Sequence, residues 1–544
     1  MTRRIALILL VLVVAACAPA PGRPTPVPTV SPTAQVEQSP WWREAVFYEV
    51  FVRSFYDSNG DGIGDFNGIT EKLDYLNDGD PATKNDLGIT GIWLMPINPS
   101  PSYHGYDVTN YYAVNPQYGS MADFKRLLGE AHKRGIRVIF DLVLNHTSSR
   151  HPFFQDALRG PSSKYYNWYI WSDTSAGNTW HQVAGDPPRY YYGLFCDCMP
   201  DLNYANPEVT AQMENVVRFW LEDVGVDGFR VDAAKHLFEE GSKTENVPET
   251  HAWYKANFYP VYKAINPQAY SVGEVYGAGA TMVRSYTGDQ LDQVFNFEMA
   301  SGFVNSAAGG SNTGVNSAMK FALADMPGFD FATFLTNHDQ NRVMSVLNGN
   351  ADRAKVAASL LLTSPGTPFI YYGEEIGMQG KKPDEDIRLP MQWSAAENAG
   401  FTTGQPWRKP DAAFAQVNVA SEANDPGSLL SHYRELLALR EAHPALRSNG
   451  LWLVETGNPA LYASLRVQNG DMILVLVNLG KLPIADYSLA LTKSPLSPGQ
   501  YTARTLMGPG GPATLEVDAN GGFKTSSIIP ALAPYATYIL ELGK

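Results

Sequence analysis

Cysteine is nearly absent from this chain, with three residues in 544. Cys17 ends an apolar N-terminal run, and Cys196 and Cys198 stand together in "GLFCDCMPDLN". That is too few for a disulfide framework. It is also too sparse for a tetrahedral zinc site without a His or Asp cluster nearby. Cys196 and Cys198 either pair or stay free; the sequence leaves both open. Positive charge is also short: 41 Lys and Arg against 55 Asp and Glu leave a formal net charge of −14. A nucleic-acid binder carries a basic face, so no nucleic-acid partner is expected. Long apolar runs are missing too. "IALILLVLVV" after Arg3 and Arg4 is too short to span a bilayer. No Gly-rich nucleotide fingerprint follows the first strand pattern.

What is present suits a packed globular protein: 44% hydrophobic and 12% aromatic residues. The length exceeds what one core usually supports, so two or more domains are expected. Aromatic richness without basicity fits a ligand with apolar faces and many hydroxyls, of which a sugar is one. The basic start, short apolar run and small residues of 1–16 form a secretory signal. Its end, "VAAC", resembles a bacterial lipoprotein signal, which implies cleavage before an acylated Cys17. Residues 17–40 then read as a Pro/Thr-rich extended stalk. The expectation is an exported, cell-surface or membrane-anchored lipoprotein held by its N-terminal lipid.

From Trp41 short apolar runs alternate with helical patterns. "VFYEVFVRSF", "GIWLMPI", "GIRVIFDLVLNH", "VDGFRVD", "YSVGEVY", "FATFLTNHD" and "PFIYYGEE" read as buried strands, with "QVFNFE" weaker. Between them lie helices such as "MADFKRLLGEAHKRG" and "PEVTAQMENVVRFWLEDVG". About eight such units predict an α/β fold, a (β/α)8 TIM barrel, with a doubly wound sheet as rival. The barrel is expected over 41–145 and 207–447. Residues 146–206, after the third strand, are too long for a plain loop and read as an inserted small domain. Residues 448–544 alternate and turn like an antiparallel β-sandwich.

Polar residues gather at the C-terminal ends of the barrel strands, the face that carries active sites in this architecture. Asn145 and His146 end one strand, Arg230 and Asp232 share a side of the next, Glu274 ends another, and His338 and Asp339 a fourth. One Asp beside an Arg is usually a structural ion pair; three acids from separate strands point to glycoside hydrolysis. Before them stands "DSNGDGIGDFNG", in which Asp57, Asn59, Asp61 and Gly62 open a calcium-loop pattern but Gly68 takes the place of the closing Glu. An Asp/Asn/Gly turn without metal is the plain alternative.

"DLVLNH", "GFRVDAAKH", "GEVY" and "FLTNHD", with "GITGIWLMPI", "MPDLN" and "GTPFIYYGEEIGM", resemble the alpha-amylase family, glycoside hydrolase family 13, in order and spacing. The resemblance runs from Trp41 to the C-terminus. It implies Asp232 as nucleophile, Glu274 as general acid/base and Asp339 as the acid that holds the distorted sugar. Asp232 has to stay charged beside Arg230, and the Glu274 site has to raise its pKa. The resemblance further implies sugar contacts at Tyr106, Asp107, His146, Arg230, His338 and Arg388, the last helped by Asp384 or Asp386. Lys235 and His236 fall on the leaving-group side. His132 and His151 are read as exposed helix or loop residues. The loop of oligo-1,6-glucosidases that resembles Asp57–Asp65 implies structural calcium on Asp57, Asn59, Asp61, the Ile63 carbonyl and Asp65. Asn145 resembles a ligand of a second calcium.

Within the family, Lys235-His236 and "MPDLN" resemble anchored alpha-amylases intermediate between oligo-1,6-glucosidases and neopullulanases. These features imply a retaining hydrolase of α-1,4 bonds in starch and maltooligosaccharides. An exo-acting α-glucosidase or oligo-1,6-glucosidase, or a transglycosylase such as a trehalose synthase, is the runner-up, favoured by "DIRLPMQW". A non-catalytic glucan-binding protein is the third reading, disfavoured because all three acids are present.

Overall fold

The computed structural model describes Pro40–Lys544, apart from residues 176, 186, 240–242, 327, 511 and 512. The assigned leader, Cys17 and the stalk up to residue 39 lie outside the described residues. No helix among the described residues is long and apolar enough to cross a membrane.

Eight short parallel strands form the centre: β1 (Phe47–Val50), β2 (Gly91–Leu94), β3 (Arg137–Leu142), β4 (Gly228–Val231), β5 (Tyr270–Gly273), β6 (Gln293–Val294), β7 (Ala332–Thr333) and β8 (Thr367–Tyr371). They pair in the order β7-β8-β1-β2-β3-β4-β5-β6. A parallel bridge between Phe295 and Ala332 joins the two ends, and the Asn296 N–H donates to the Ala332 carbonyl at 2.9 Å. The sheet is therefore a nearly closed barrel, which excludes the doubly wound rival. The strands are shorter than their apolar patterns. In "VFYEVFVRSF" only Phe47–Val50 is strand, and Val52–Phe55 coils into a helical turn. Those turn residues are buried as well, so hydrophobicity alone does not mark where the strand stops.

The helices follow their local signals. The helix Met121–Lys133 starts at a capping box of Ser120 and Asp123 and buries Phe124, Leu127, Leu128 and Ala131, one stripe of a 3.6-residue period. The helix Pro207–Arg218 starts with Asn206 as its cap and proline in its first turn. It widens into i→i+5 turns and ends at Gly225 with φ 91°.

Between β3 and β4 the chain adds a three-stranded antiparallel sheet of Trp171–Ser172, Trp180–Val183 and Arg189–Tyr192. Here one expectation fails. His151 is buried, not exposed. Its Nδ1 accepts the Phe153 N–H and caps the helix Pro152–Ala157, and burial lowers its pKa to about 4. His132 is exposed on its helix as expected, its Nε2 2.7 Å from Asp227. Beyond the barrel, Leu461–Gln468, Asp471–Asn478, Gly499–Met507 and Thr537–Gly543 belong to a six-stranded antiparallel sheet. Alternate residues such as Leu461, Leu465, Leu474 and Leu540 form a second core.

Candidate active site

Period-two alternation stacks the barrel interior in layers. Phe47, Ile139, Tyr270 and Phe369 belong to one apolar cluster, with Phe47 and Phe369 stacked at 4.5 Å. Two residues further along the strands, on the same side, stand Glu49, Asp141 and Arg230. Two further, beyond the strand ends, come Asp232 and Glu274. On these strands the pattern passes from apolar to charged in one step, whereas Val272 and Tyr371 hold the same level on two others.

Arg230 is the hub. Its Nη1 donates to Asp232 at 2.6 Å and also bonds Asp141. Its Nη2 lies 2.9 Å from Glu274. Asp141 also accepts from Trp93 Nε1 at 3.0 Å and from the Tyr106 hydroxyl at 3.2 Å. Three carboxylates on one buried guanidinium leave the group short of positive charge. Burial pushes Asp232 up to about 7 against the pull of Arg230, and the neighbouring Glu274 and Asp141 add to the rise. Burial likewise raises Asp141, to about 6, with Arg230 and His338 opposing. Ala233, next in the chain, has φ 46° and donates its N–H to Glu274 at 3.2 Å. A β-branched side chain is disfavoured at such an angle.

Asp339 belongs to a second cluster. His338 Nε2 is 3.1 Å from Asp339 and 2.7 Å from the Tyr106 hydroxyl, while its Nδ1 meets Glu49. Burial alone would lower His338, but Asp339 and Glu49 overcome it and raise it to about 10. Arg388 donates to Asp339 at 2.9 Å and to the His338 carbonyl at 2.9 Å. Burial raises Asp339, yet His338 and Arg388 outweigh it and hold the carboxyl well below the usual range.

Asp232, Glu274 and Asp339 meet in one cleft of about 270 Å3, with Tyr106, His146 and Arg388 around them. His146 is buried, which lowers it to about 3, and its Nε2 has no partner among the described residues. Of the two acids beside Arg388, Asp384 lines the cleft and lies 3.3 Å from that guanidinium. Asp386 instead pairs with Arg408. Five expected sugar contacts stand back from the cleft wall, Arg230 among them, fully buried beneath the acids it holds. Asp107 is buried against Ser100 and Ser102. His338 is fully buried behind Tyr106 and Asp339. Lys235 donates to the Tyr276 carbonyl at 2.8 Å and pairs with Glu245, and His236 Nδ1 meets the Thr244 carbonyl. A larger recess of about 520 Å3 between residues 77–88 and the helix Leu429–Ala442 contains none of these acids.

Sequence reasoning missed Glu49 and Asp141, which orient the visible layer from below, and His104, Phe195 and Met199, which line the cleft. A charged residue at an inward position of an apolar strand was the available signal for the first two. The loop residues carry none.

The candidate metal donors differ in their surroundings. Asp57, Asn59, Asp61 and Asp65 accept backbone N–H groups of their own loop, and Asp57 also takes the Thr402 hydroxyl. This donor set is hard oxygen throughout, the chemistry calcium takes. Asn145 Nδ2 is 2.9 Å from Asp201. Burial and the Glu239 charge hold Asp201 well above the carboxylate range, and Glu239 Oε1 is buried with no partner among the described residues. A hard cation among Asn145, Asp201 and Glu239 relieves both, so these residues fit one. His443, Asp471 and Glu541 also converge, but His443 pairs with Asp471 at 3.0 Å and Glu541 with Arg504.

The fold and cleft define a class: a (β/α)8 barrel with acidic groups converging at the C-terminal rim. The model of the alpha-amylase catalytic domain matches residues 49–449. Alpha-amylase 3 of Dictyoglomus thermophilum is 42% identical over 452 residues, 81% of this chain and 86% of that protein. The trehalose synthase/amylase of Mycobacterium tuberculosis is 35% identical over 81% of this chain and 82% of its own length. The crystal structure of the alpha-amylase from H. orenii superposes with a TM-score of 0.78 at 39% identity, covering 92% of this chain and 99% of that one. The chain belongs to the alpha-amylase family, glycoside hydrolase family 13.

Proposed function

We propose that this protein is an alpha-amylase that hydrolyses α-1,4 bonds of starch and maltooligosaccharides with retention of configuration. The observation that carries it is the pair Asp232 and Glu274 on the two terminal nitrogens of one guanidinium. In this reading Asp232 attacks the anomeric carbon while Glu274 gives its proton to the leaving oxygen. Water, deprotonated by Glu274, then releases the sugar from Asp232. Burial keeps part of the Asp232 population protonated near neutral pH, and Arg230 favours the ionised form that attacks. Tyr106 offers a face for the sugar, His146 Nε2 a hydroxyl partner, and Asp339 with Arg388 an anchor for two more hydroxyls. His338, charged between Glu49 and Asp339, keeps Asp339 ionised. Identity to a D. thermophilum alpha-amylase supports the α-1,4 assignment. The 35% identity to a trehalose synthase/amylase keeps a transglycosylating or exo-acting enzyme as the second reading.

Calcium belongs to the same proposal. The loop Asp57–Asp65 would hold one ion with Asp57, Asn59, Asp61, the Ile63 carbonyl and Asp65, and Asn145 a second with Asp201 and Glu239; both would be structural. Attachment to a membrane through a lipidated Cys17, and hence a cell-surface location, is proposed from the N-terminal sequence alone. Radiolabelled palmitate incorporated by the wild type and not by Cys17→Ala checks it.

The deciding experiment follows products from soluble starch, maltotriose, isomaltose and maltose by chromatography, with Asp232→Asn as control. Mixed maltooligosaccharides from starch, absent with the variant, are expected. Glucose or trehalose from short sugars with starch untouched would move the assignment to the second reading. Glucan binding without turnover would mean a binding protein.

A further inference from the structure

Cys196 and Cys198 are joined by a disulfide, with Cα atoms 5.2 Å apart. The residues just outside the bridge, Phe195 and Met199, both line the cleft. Phe195 is 50% exposed and meets His146 edge-on at 5.3 Å and His236 at 6.0 Å. An aromatic ring so exposed is not fixed by burial, so its backbone has to hold it.

The turn is anchored unevenly. On one side the Cys198 carbonyl accepts the Ser149 N–H at 2.8 Å, and the Asp197 carbonyl accepts the Tyr191 hydroxyl at 2.6 Å. On the other side the Cys196 carbonyl accepts the Met199 N–H at 3.2 Å, and the Leu194 N–H donates to Asp201 Oδ1 at 3.1 Å. Among the described residues no hydrogen bond engages the Phe195 backbone. The covalent bridge carries the anchorage of Cys198 across to Cys196, and so to Phe195.

We propose that the Cys196–Cys198 disulfide is a redox-sensitive positioning element that clamps Phe195 and Met199 as one wall of the cleft against a glucan lying across the scissile bond. It rests on the reading of the cleft as an amylase site. Both cysteines are part-exposed and Asp197 is open to solvent, so a small dithiol can reach the bridge. The dithiol supplies two electrons and two protons, the S–S bond becomes two thiols, and the dithiol leaves as its cyclic disulfide.

The test compares oxidised wild type, wild type reduced with dithiothreitol, and Cys196→Ser/Cys198→Ser with maltoheptaose as substrate. In the last two, KM is expected to rise about three- to tenfold, the change that losing one aromatic contact produces. The turnover number stays within about twofold, because the chemical groups around Arg230 are untouched. The double variant is expected to ignore dithiothreitol. Amide hydrogen exchange over 194–196 is expected to speed up on reduction. Unchanged KM, or a fall in Tm with KM constant, overturns the clamp and leaves a purely structural bridge. If the oxidised protein neither turns over nor binds maltoheptaose, the amylase reading fails. Hydrogen exchange then still decides whether the bridge holds Phe195: unchanged exchange overturns it.

Discussion

The lower and upper halves of the barrel interior are built by the same strands and the same alternation, with opposite chemistry. Below, Phe47, Ile139, Tyr270 and Phe369 pack with Trp42, Trp93 and Phe295 into one apolar cluster that excludes water. One step up, Glu49, Asp141 and Arg230 are equally buried, but every one of them reaches for a charged partner. The lower half contributes stability through area removed from water. The upper half stabilises little on its own, because burying ions costs about what their pairing returns. What it provides is position: each acid at the rim is held by a cation whose own place is fixed from beneath.

The comparison breaks most sharply at the rim. Asp232→Asn is expected to lower the turnover number by about 10⁴-fold or more, as loss of a covalent nucleophile does, with the unfolding midpoint nearly unchanged; starch assays and thermal melts check both. Arg230→Ala leaves Asp141 and Asp232 buried without a cation and is expected to cost about 3–5 kcal/mol, read by urea unfolding, and to abolish activity as well. Phe47→Ala in the lower half is expected to cost a similar stability, about 3–5 kcal/mol, while the enzyme that remains folded keeps its KM. Equal loss of activity per folded molecule in both variants would erase the distinction between the halves.

Smaller effects sharpen it. His338 is raised in the fold to about 10 from about 6.5 in the unfolded chain. Its contribution is therefore full below about pH 6.5 and lost as pH rises through about 10. Wild type is expected to lose more stability between pH 7 and 10 than His338→Gln, measured as unfolding free energy across that range; parallel curves would refute the charged imidazolium. A chelator is expected to lower Tm by a few degrees through loss of a stabilising ligand, less in Asp57→Ala than in wild type. Equal shifts in the two would assign the loop Asp57–Asp65 no metal.

Sequence alone determined what depends on local periodicity and on chain order. Near-continuous apolar runs separated by helices specify a parallel sheet, closed into a barrel only by the pairing of its end strands, and an acid just after such a run must emerge at its C-terminal rim. Asp232, Glu274 and Asp339 were legible for that reason. Alternation in 448–544 likewise announced antiparallel sheets. Only the tertiary structure decided what depends on distance between strands far apart in the chain. It joined Arg230 to Asp141 and Glu274, set His338 between Glu49 and Asp339, chose Asp384 over Asp386, buried His151, and closed the Cys196–Cys198 bridge beside the cleft. The physical reason is that a charge's partner and its exposure follow from how the barrel closes. Closure brings together residues whose separation along the chain carries no trace of it.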